Sequence, residues 1–368
     1  MTRPSGSPVL VLGAALGVTF GGPFTVTAAE DPAVRHAREI LSKAPLIDGG
    51  RFARVQLEQI DIARRMIAAY PDDLELCLTA ADVERAHGQG RIASLIGMEG
   101  GHVIENSLGA LRAYFELGAR YMTLTHNVTL DWADAALGEP RHNTLTAFGR
   151  EVVREMNRLG MLVDLSHVSP KVMADALDVA EAPVIFSHSS CRALCDHPRN
   201  VPDDILARLP SNGGVVMITF VPPFISPEVA AWWAPVRARF AAAAGSIADL
   251  RRERVAAAGP APRSTLSQVA DHIDHARKVA GVDHVGIGGD FGEAEEFTAG
   301  LEDVSKYPYL FAELARRGWG DADLSKLARG NVLRVMRQAE ETARRLRATR
   351  PPSTATIEAL DASPPAPR

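Results

Sequence analysis

The chain of 368 residues is poor in cysteine, with 3, and in aromatic side chains, with 6%, and its 40 Lys and Arg nearly balance 45 Asp and Glu at a net charge of −5. Three thiols cannot staple a disulfide scaffold, and an odd number leaves at least one unpaired. Cys191 and Cys195 lie four apart, a spacing too common to signal metal or redox work, so all three read as packed bystanders. The lack of a basic stripe argues against nucleic acid as a partner. No apolar run approaches the ~20 residues of a membrane span, and no transmembrane anchor is expected. Phosphate-cradling loops are missing too: neither G-x-G-x-x-G nor a Walker loop follows an apolar run, and Gly286-x-Gly288-Gly289 falls inside one.

What is present is ordinary globular composition, 46% hydrophobic and 23% charged. Arg3, the apolar stretch 9–18 and the small residues Thr27-Ala28-Ala29 have the parts of an export signal, predicted over residues 1–28. Residues 350–368 are rich in Pro, Ser, Thr and Ala and predict a disordered tail. Residues 29–349 then form one domain, in an exported protein.

Short apolar runs in that domain share one design: each ends on a polar residue. The run 91–98 stops at Glu99, 121–125 at His126, 161–166 at His167, 183–187 at His188 and 284–289 at Asp290, while 215–220 and a first run at 45–48 complete about seven strand candidates. Helical patterns alternate with them, at 54–66, 108–117, 148–159, 171–179, 268–279 and 324–333. Such alternation specifies an α/β fold with parallel strands, and polar strand ends are how a (β/α)8 barrel builds an active site on one face.

Glu99, His126, His167, His188 and Asp290 are therefore candidates for one pocket. Imidazole and carboxylate suit a borderline divalent cation such as zinc, which can activate a nucleophile for amide or ester hydrolysis. The stretches Ile96-Gly97-Met98-Glu99-Gly100-Gly101-His102, Tyr121-Met122-Thr123-Leu124-Thr125-His126-Asn127 and Val163-Asp164-Leu165-Ser166-His167 closely resemble the membrane (renal-type) dipeptidases. So do Arg192-Ala193-Leu194-Cys195-Asp196-His197-Pro198-Arg199-Asn200 and Gly300-Leu301-Glu302-Asp303-Val304-Ser305-Lys306-Tyr307-Pro308. The resemblance spans residues 60–336. It implies a (β/α)8 metallopeptidase with two zinc ions that cleaves dipeptides. By position it makes Glu99 the bridging ligand and His167 and His188 ligands of the second zinc. It likewise gives His126 contact with the substrate or its tetrahedral intermediate, Arg199 the dipeptide's carboxylate, and Asp290 the proton transfers.

Two departures qualify that expectation. The family's first strand ends in a His-x-Asp pair that helps hold the first zinc, whereas this chain reads Ile47-Asp48-Gly49-Gly50-Arg51-Phe52 and passes directly into a helical pattern. Both ligands and a second strand are missing, and one zinc rather than two is expected to remain. Asp290-Phe291-Gly292 also replaces the family's Asp-Phe-Asp-Gly. The expected activity is zinc-dependent dipeptide hydrolysis, impaired by that loss. The alternatives are a degenerate barrel that binds small peptides without turnover and an amidohydrolase acting on lactones or β-lactams. A lost strand exposes ladder edges, which a homodimer would cover.

Overall fold

The computed structural model describes residues 10–13, 51–241, 246–291 and 297–361. Every ladder in it is parallel. Strands β1 (Leu10–Gly13) and β2 (Leu74–Leu76) both lie along one edge of β3 (Ile92–Glu99), from which β4 (Ala119–Thr123), β5 (Leu162–Asp164), β6 (Ile185–Ser189), β7 (Val215–Ile218) and β8 (Val285–Ile287) follow in order. The sheet curls as in a TIM-barrel-like α/β fold, and helices accompany its strands: α1 (Arg51–Ala69), α2 (Ala80–Gly88), α3 (Leu108–Glu116), α4 (Ala147–Leu159), α5 (Pro170–Val179), α6 (Pro227–Ala241), α7 (Ile247–Ala258), α8 (Leu266–Ala280), α9 (Tyr307–Arg316), α10 (Asn331–Thr349) and α11 (Ile357–Asp361).

The helices form where the sequence supplies a stripe and a cap. Helix α4 buries Phe148, Val152 and Met156 at successive i,i+4 positions, and the Thr146 hydroxyl accepts the Gly149 N–H at 3.2 Å to satisfy one free donor of its first turn. Helix α5 opens on Ser169-Pro170, with Ser169 Oγ accepting from Val172 N–H at 3.3 Å. β5, β7 and β8 are shorter than their apolar runs, which continue past the ladder into the following loop, whereas β3, β4 and β6 match their runs in length. Two glycines sit where the backbone or an inner side chain crosses too closely for any Cβ: one on Gly97 would lie 1.9 Å from the Tyr121 ring, and one on Gly288 1.8 Å from the Ser187 carbonyl oxygen.

Several parts of the fold differ from expectation. β2 occupies a stretch too short and too polar (Leu74-Glu75-Leu76) to register as an apolar run. α6 and α7 form a helical insertion between β7 and β8 with its own small core of Trp232, Val236 and Leu250, where no periodic pattern signalled a helix. The first-strand run 45–48 and the junction after it lie outside the described residues, as do residues 1–28 apart from Leu10–Gly13, whose backbone pairs with Ser94–Gly97. The expected tail is docked as far as Asp361. Arg350 pairs with Glu181, Ser353 N–H donates to Glu155, and the Asp361 carboxylate accepts from Thr146 Oγ1 at 2.6 Å and Phe148 N at 3.1 Å, capping α4 a second time. Ala355 and Ile357 also pack against the core, and composition is blind to such anchors because they are isolated contacts rather than a continuous apolar face.

All three cysteines are free and buried, and burial raises their thiol pKa values, to about 11 for Cys77 and Cys195. Cys191 and Cys195 donate to different carbonyls, of His272 and Pro223. His272 itself accepts from Cys191 N–H at 3.1 Å through Nδ1 and donates to the Ile225 carbonyl at 3.0 Å through Nε2, tying α8 to the ends of two loops as a neutral imidazole. Burial lowers its pKa to about 4, against an ordinary value of 6.5. The unfolded chain therefore binds the extra proton first, and this contribution to stability is lost as pH falls from about 6.5 toward about 4. Chemical denaturation at pH 7 and 4.5 should show that loss, with a shallower slope in His272→Gln; equal slopes would contradict it. Asp361→Ala should lower stability by about 1 kcal/mol in thermal unfolding, as loss of a cap does, and an unchanged midpoint would mean that the tail is not anchored.

Candidate metal centre

Glu99 is the last residue of β3, His188 lies within β6, and His167 and Asp290 follow β5 and β8 by three residues, so all four stand at the carboxyl end of the sheet. Backbone geometry shows how tightly two of them are placed: His167 has φ +72° and Asp290 φ +57°. A side chain in this left-handed region is held there only by its surroundings, and such residues concentrate at functional sites. For His167 the surroundings are visible. Its carbonyl accepts from Ala136 N–H at 2.7 Å and Thr125 Oγ1 at 3.2 Å.

Three ligand atoms converge. His167 Nε2 and His188 Nε2 lie 2.9 and 3.0 Å from Glu99 Oε1 and 2.8 Å from each other. A nitrogen of His126 joins Glu99 and His167 within 4.8 Å, its ring 4.5 Å from that of His167. The far side of each imidazole is fixed: His167 Nδ1 faces Asn127 Oδ1 at 3.2 Å, an acceptor, and His188 Nδ1 faces Ser187 Oγ at 2.7 Å. With Nδ1–H donated outward, a neutral imidazole turns its Nε2 lone pair inward, and two lone pairs and a carboxylate oxygen then point at one spot. That arrangement fits a divalent cation. Two imidazoles on a tetrahedral zinc stand about 3.3 Å apart, so the set need open by only a few tenths of an ångström.

A polar floor holds these ligands. Buried Asp164 accepts the N–H groups of Ser166 at 2.9 Å and Ser187 at 3.0 Å, and Ser166 Oγ accepts from His188 N–H at 3.0 Å. These bonds lock the end of β5 to β6 and so set the spacing of the two histidines. Charges follow from burial and neighbours. Burial opposes ionisation of Glu99, but the facing His167 and His188 imidazoles outweigh it and hold the group a carboxylate far below its ordinary range. Burial and the Arg199 charge keep His167 neutral. For His188 burial is outweighed by Asp290 and Glu99, which raise its pKa. Arg199, 2% exposed, is lowered by burial to about 10 and so stays charged, supported by Asp290 and Glu99.

The structure thus brings Glu99, His126, His167, His188, Arg199 and Asp290 to one end of the sheet. Sequence reasoning missed Asn127 and Ser187, although each adjoins a histidine it had found, because only tertiary geometry tells which neighbour meets Nδ1. A mostly apolar cavity of about 300 Å³ lies toward the opposite end of the sheet, with Ser187 reaching its inner wall; it contains no comparable ligand cluster.

A carboxylate and imidazoles converging at the carboxyl ends of parallel strands define a metal-centred β/α-barrel class of protein. Within it, the chain belongs to the membrane dipeptidase family (peptidase family M19), whose model matches residues 34–350. It is 44% identical to rat (Rattus norvegicus) dipeptidase 3 over 293 residues, 78% of this chain and 52% of that protein, and 43% identical to the mouse (Mus musculus) counterpart over the same shares. The chain thus spans about half the length of the curated relatives it matches. Among solved structures, the probable dipeptidase PvdM from Pseudomonas aeruginosa aligns with a TM-score of 0.68 at 26% identity, covering 77% of this chain and 78% of that one. A metallopeptidase from Rhodobacter sphaeroides, liganded with a phosphinate mimic of the dipeptide L-Ala-D-Ala, aligns at 0.65 and 25% identity over 84% of both chains.

Removing the outward partner of a ligating imidazole typically costs 10- to 100-fold in metal affinity. Ser187→Ala should therefore weaken zinc binding at least about tenfold in a chelator competition, with its circular dichroism retained; unaltered affinity would show that Ser187 does not orient His188.

Proposed function

We propose that the chain is a zinc-dependent dipeptidase, and the observation that carries this reading is the convergence of Glu99, His167 and His188 within 3.0 Å of one another. Family membership and relatives named as dipeptidases support it. Zinc bound there would supply Lewis acidity toward the scissile carbonyl and a nucleophile at neutral pH. The protein's own groups would do the rest. Arg199 pairs with the dipeptide's terminal carboxylate through its planar fork of donors. His126, beside His167, donates to the oxyanion as the carbonyl carbon becomes tetrahedral. Asp290 accepts the proton released at that step and returns it to the leaving amine.

The first-strand ligands are missing from the sequence, which supports one retained zinc rather than two and a reduced rate. No helix among the described residues is long and apolar enough to cross a membrane; the apolar stretch 9–18 supports export by a leader at residues 1–28, and removal of that leader would take β1 out of the sheet. A homodimer that covers the edge of β3 beside β2, left open once β1 is removed, is the proposed assembly.

With zinc added, purified protein should release free amino acids from simple L,L- and L,D-dipeptides, and His188→Ala should lower kcat/KM by at least about a hundredfold. Turnover that survives His188→Ala would remove the metal mechanism, and binding without turnover in the parent protein would favour a peptide-binding barrel.

A further inference from the structure

The helical insertion between β7 and β8 brings a second guanidinium to the proposed substrate site. Phe224, just after β7, has the Arg199 guanidinium carbon 5.2 Å from its ring centroid, that of Arg237 (on α6) at 5.9 Å, and the His197 ring at 4.5 Å. The two guanidiniums share one aromatic face or edge and are at most the sum of those distances apart. Asp290 and Glu99 offset the Arg199 charge, whereas Arg237 has no such counter-charge among the described residues. Arg199 makes only long bonds, 3.5 Å to Ser189 Oγ and 3.4 Å to the His188 carbonyl. Arg237 is half-buried and, among the described residues, has no ion pair or hydrogen bond.

Among the described residues, two carboxylates close to Arg199 and Arg237 in sequence are engaged elsewhere. Asp196 is 94% exposed and faces Arg192 at 3.7 Å, while Glu228 accepts from the Ser226 hydroxyl at 2.6 Å. Burial lowers the Arg237 pKa with no offsetting acidic neighbour among the described residues, and burial, then repulsion from Arg237, Arg199 and Arg192, lowers the His197 pKa to about 3 and keeps it neutral. A desolvated cation without a partner is costly to maintain, and an anionic ligand removes that cost.

We infer that Arg237 and Arg199 together form a subsite for two carboxylates, so that the favoured ligands are dipeptides whose C-terminal residue is acidic. This rests on the dipeptide reading above: the main-chain carboxylate pairs with Arg199 and the side-chain carboxylate with Arg237. A Glu or Asp side chain places its carboxylate a few ångströms from the terminal one, a separation that two guanidiniums flanking one ring can span. The insertion supplies the selecting residue, while the residues of the metal centre come from the sheet and its adjoining loops.

Titration calorimetry with Gly-Glu and its uncharged isostere Gly-Gln on the zinc-supplemented full chain tests this without requiring turnover. The parent protein should bind Gly-Glu about tenfold more tightly, the gain expected for one charge-assisted pair. Arg237→Gln should bring the ratio near one and Arg237→Lys should keep most of it, with both variants folded by circular dichroism. Equal affinities in the parent, or a preference that persists in Arg237→Gln, would overturn the subsite and leave the dipeptide reading standing. If neither dipeptide binds the parent, both fall together.

Discussion

Glu99 Oε1 stands within 3.0 Å of two imidazole nitrogens at once, and the placement of almost everything around it follows from that constraint. A buried carboxylate is expensive unless it is paired and hydrogen-bonded, and here its partners are two side chains that must face each other at 2.8 Å. Only strands in parallel register, each ending at the same level, can deliver three such groups to one point. The Asp164 and Ser166 bonds that clamp β5 to β6 hold that level. The left-handed backbone of His167 is what such delivery demands locally, and its doubly bonded carbonyl shows how the surrounding loops keep it there.

Electrostatics then sort the groups into roles. Glu99 is pinned as an anion, His167 is kept neutral, and Arg199 stays charged in a buried position because Asp290 and Glu99 face it. A neutral imidazole beside a carboxylate is the donor set a divalent cation takes up. A charged guanidinium on the far side suits an anionic end of a ligand. The distribution of charge therefore supports a ligand that is itself polarised, with a carboxylate at one end and a reactive carbonyl toward the metal centre.

Much of this was legible in the sequence because a parallel strand covered on both faces writes itself as an unbroken apolar run. The acidic residue that closes it then marks the end where the candidate site lies, as with Glu99 after 91–98 and Asp290 after 284–289. What stayed hidden depends on contacts between distant segments. Ser187 and Asn127 are ordinary polar residues until the fold aims a histidine at them, and Asp361 is a tail residue until it reaches the first turn of α4. The Leu74–Leu76 strand is too brief for periodicity, and α6 and α7 lack the regular apolar stripe that a helix packed on a sheet shows. Arg237 had no motif at all, being meaningful only beside Phe224 and Arg199.

The convergence of Glu99, His167 and His188 supports one metal site, where the resemblance to the membrane dipeptidases implied a second built on the first strand. Elemental analysis of extensively dialysed, zinc-reconstituted protein tests it most directly. One tightly held zinc per chain is predicted; two per chain, or none, would contradict it.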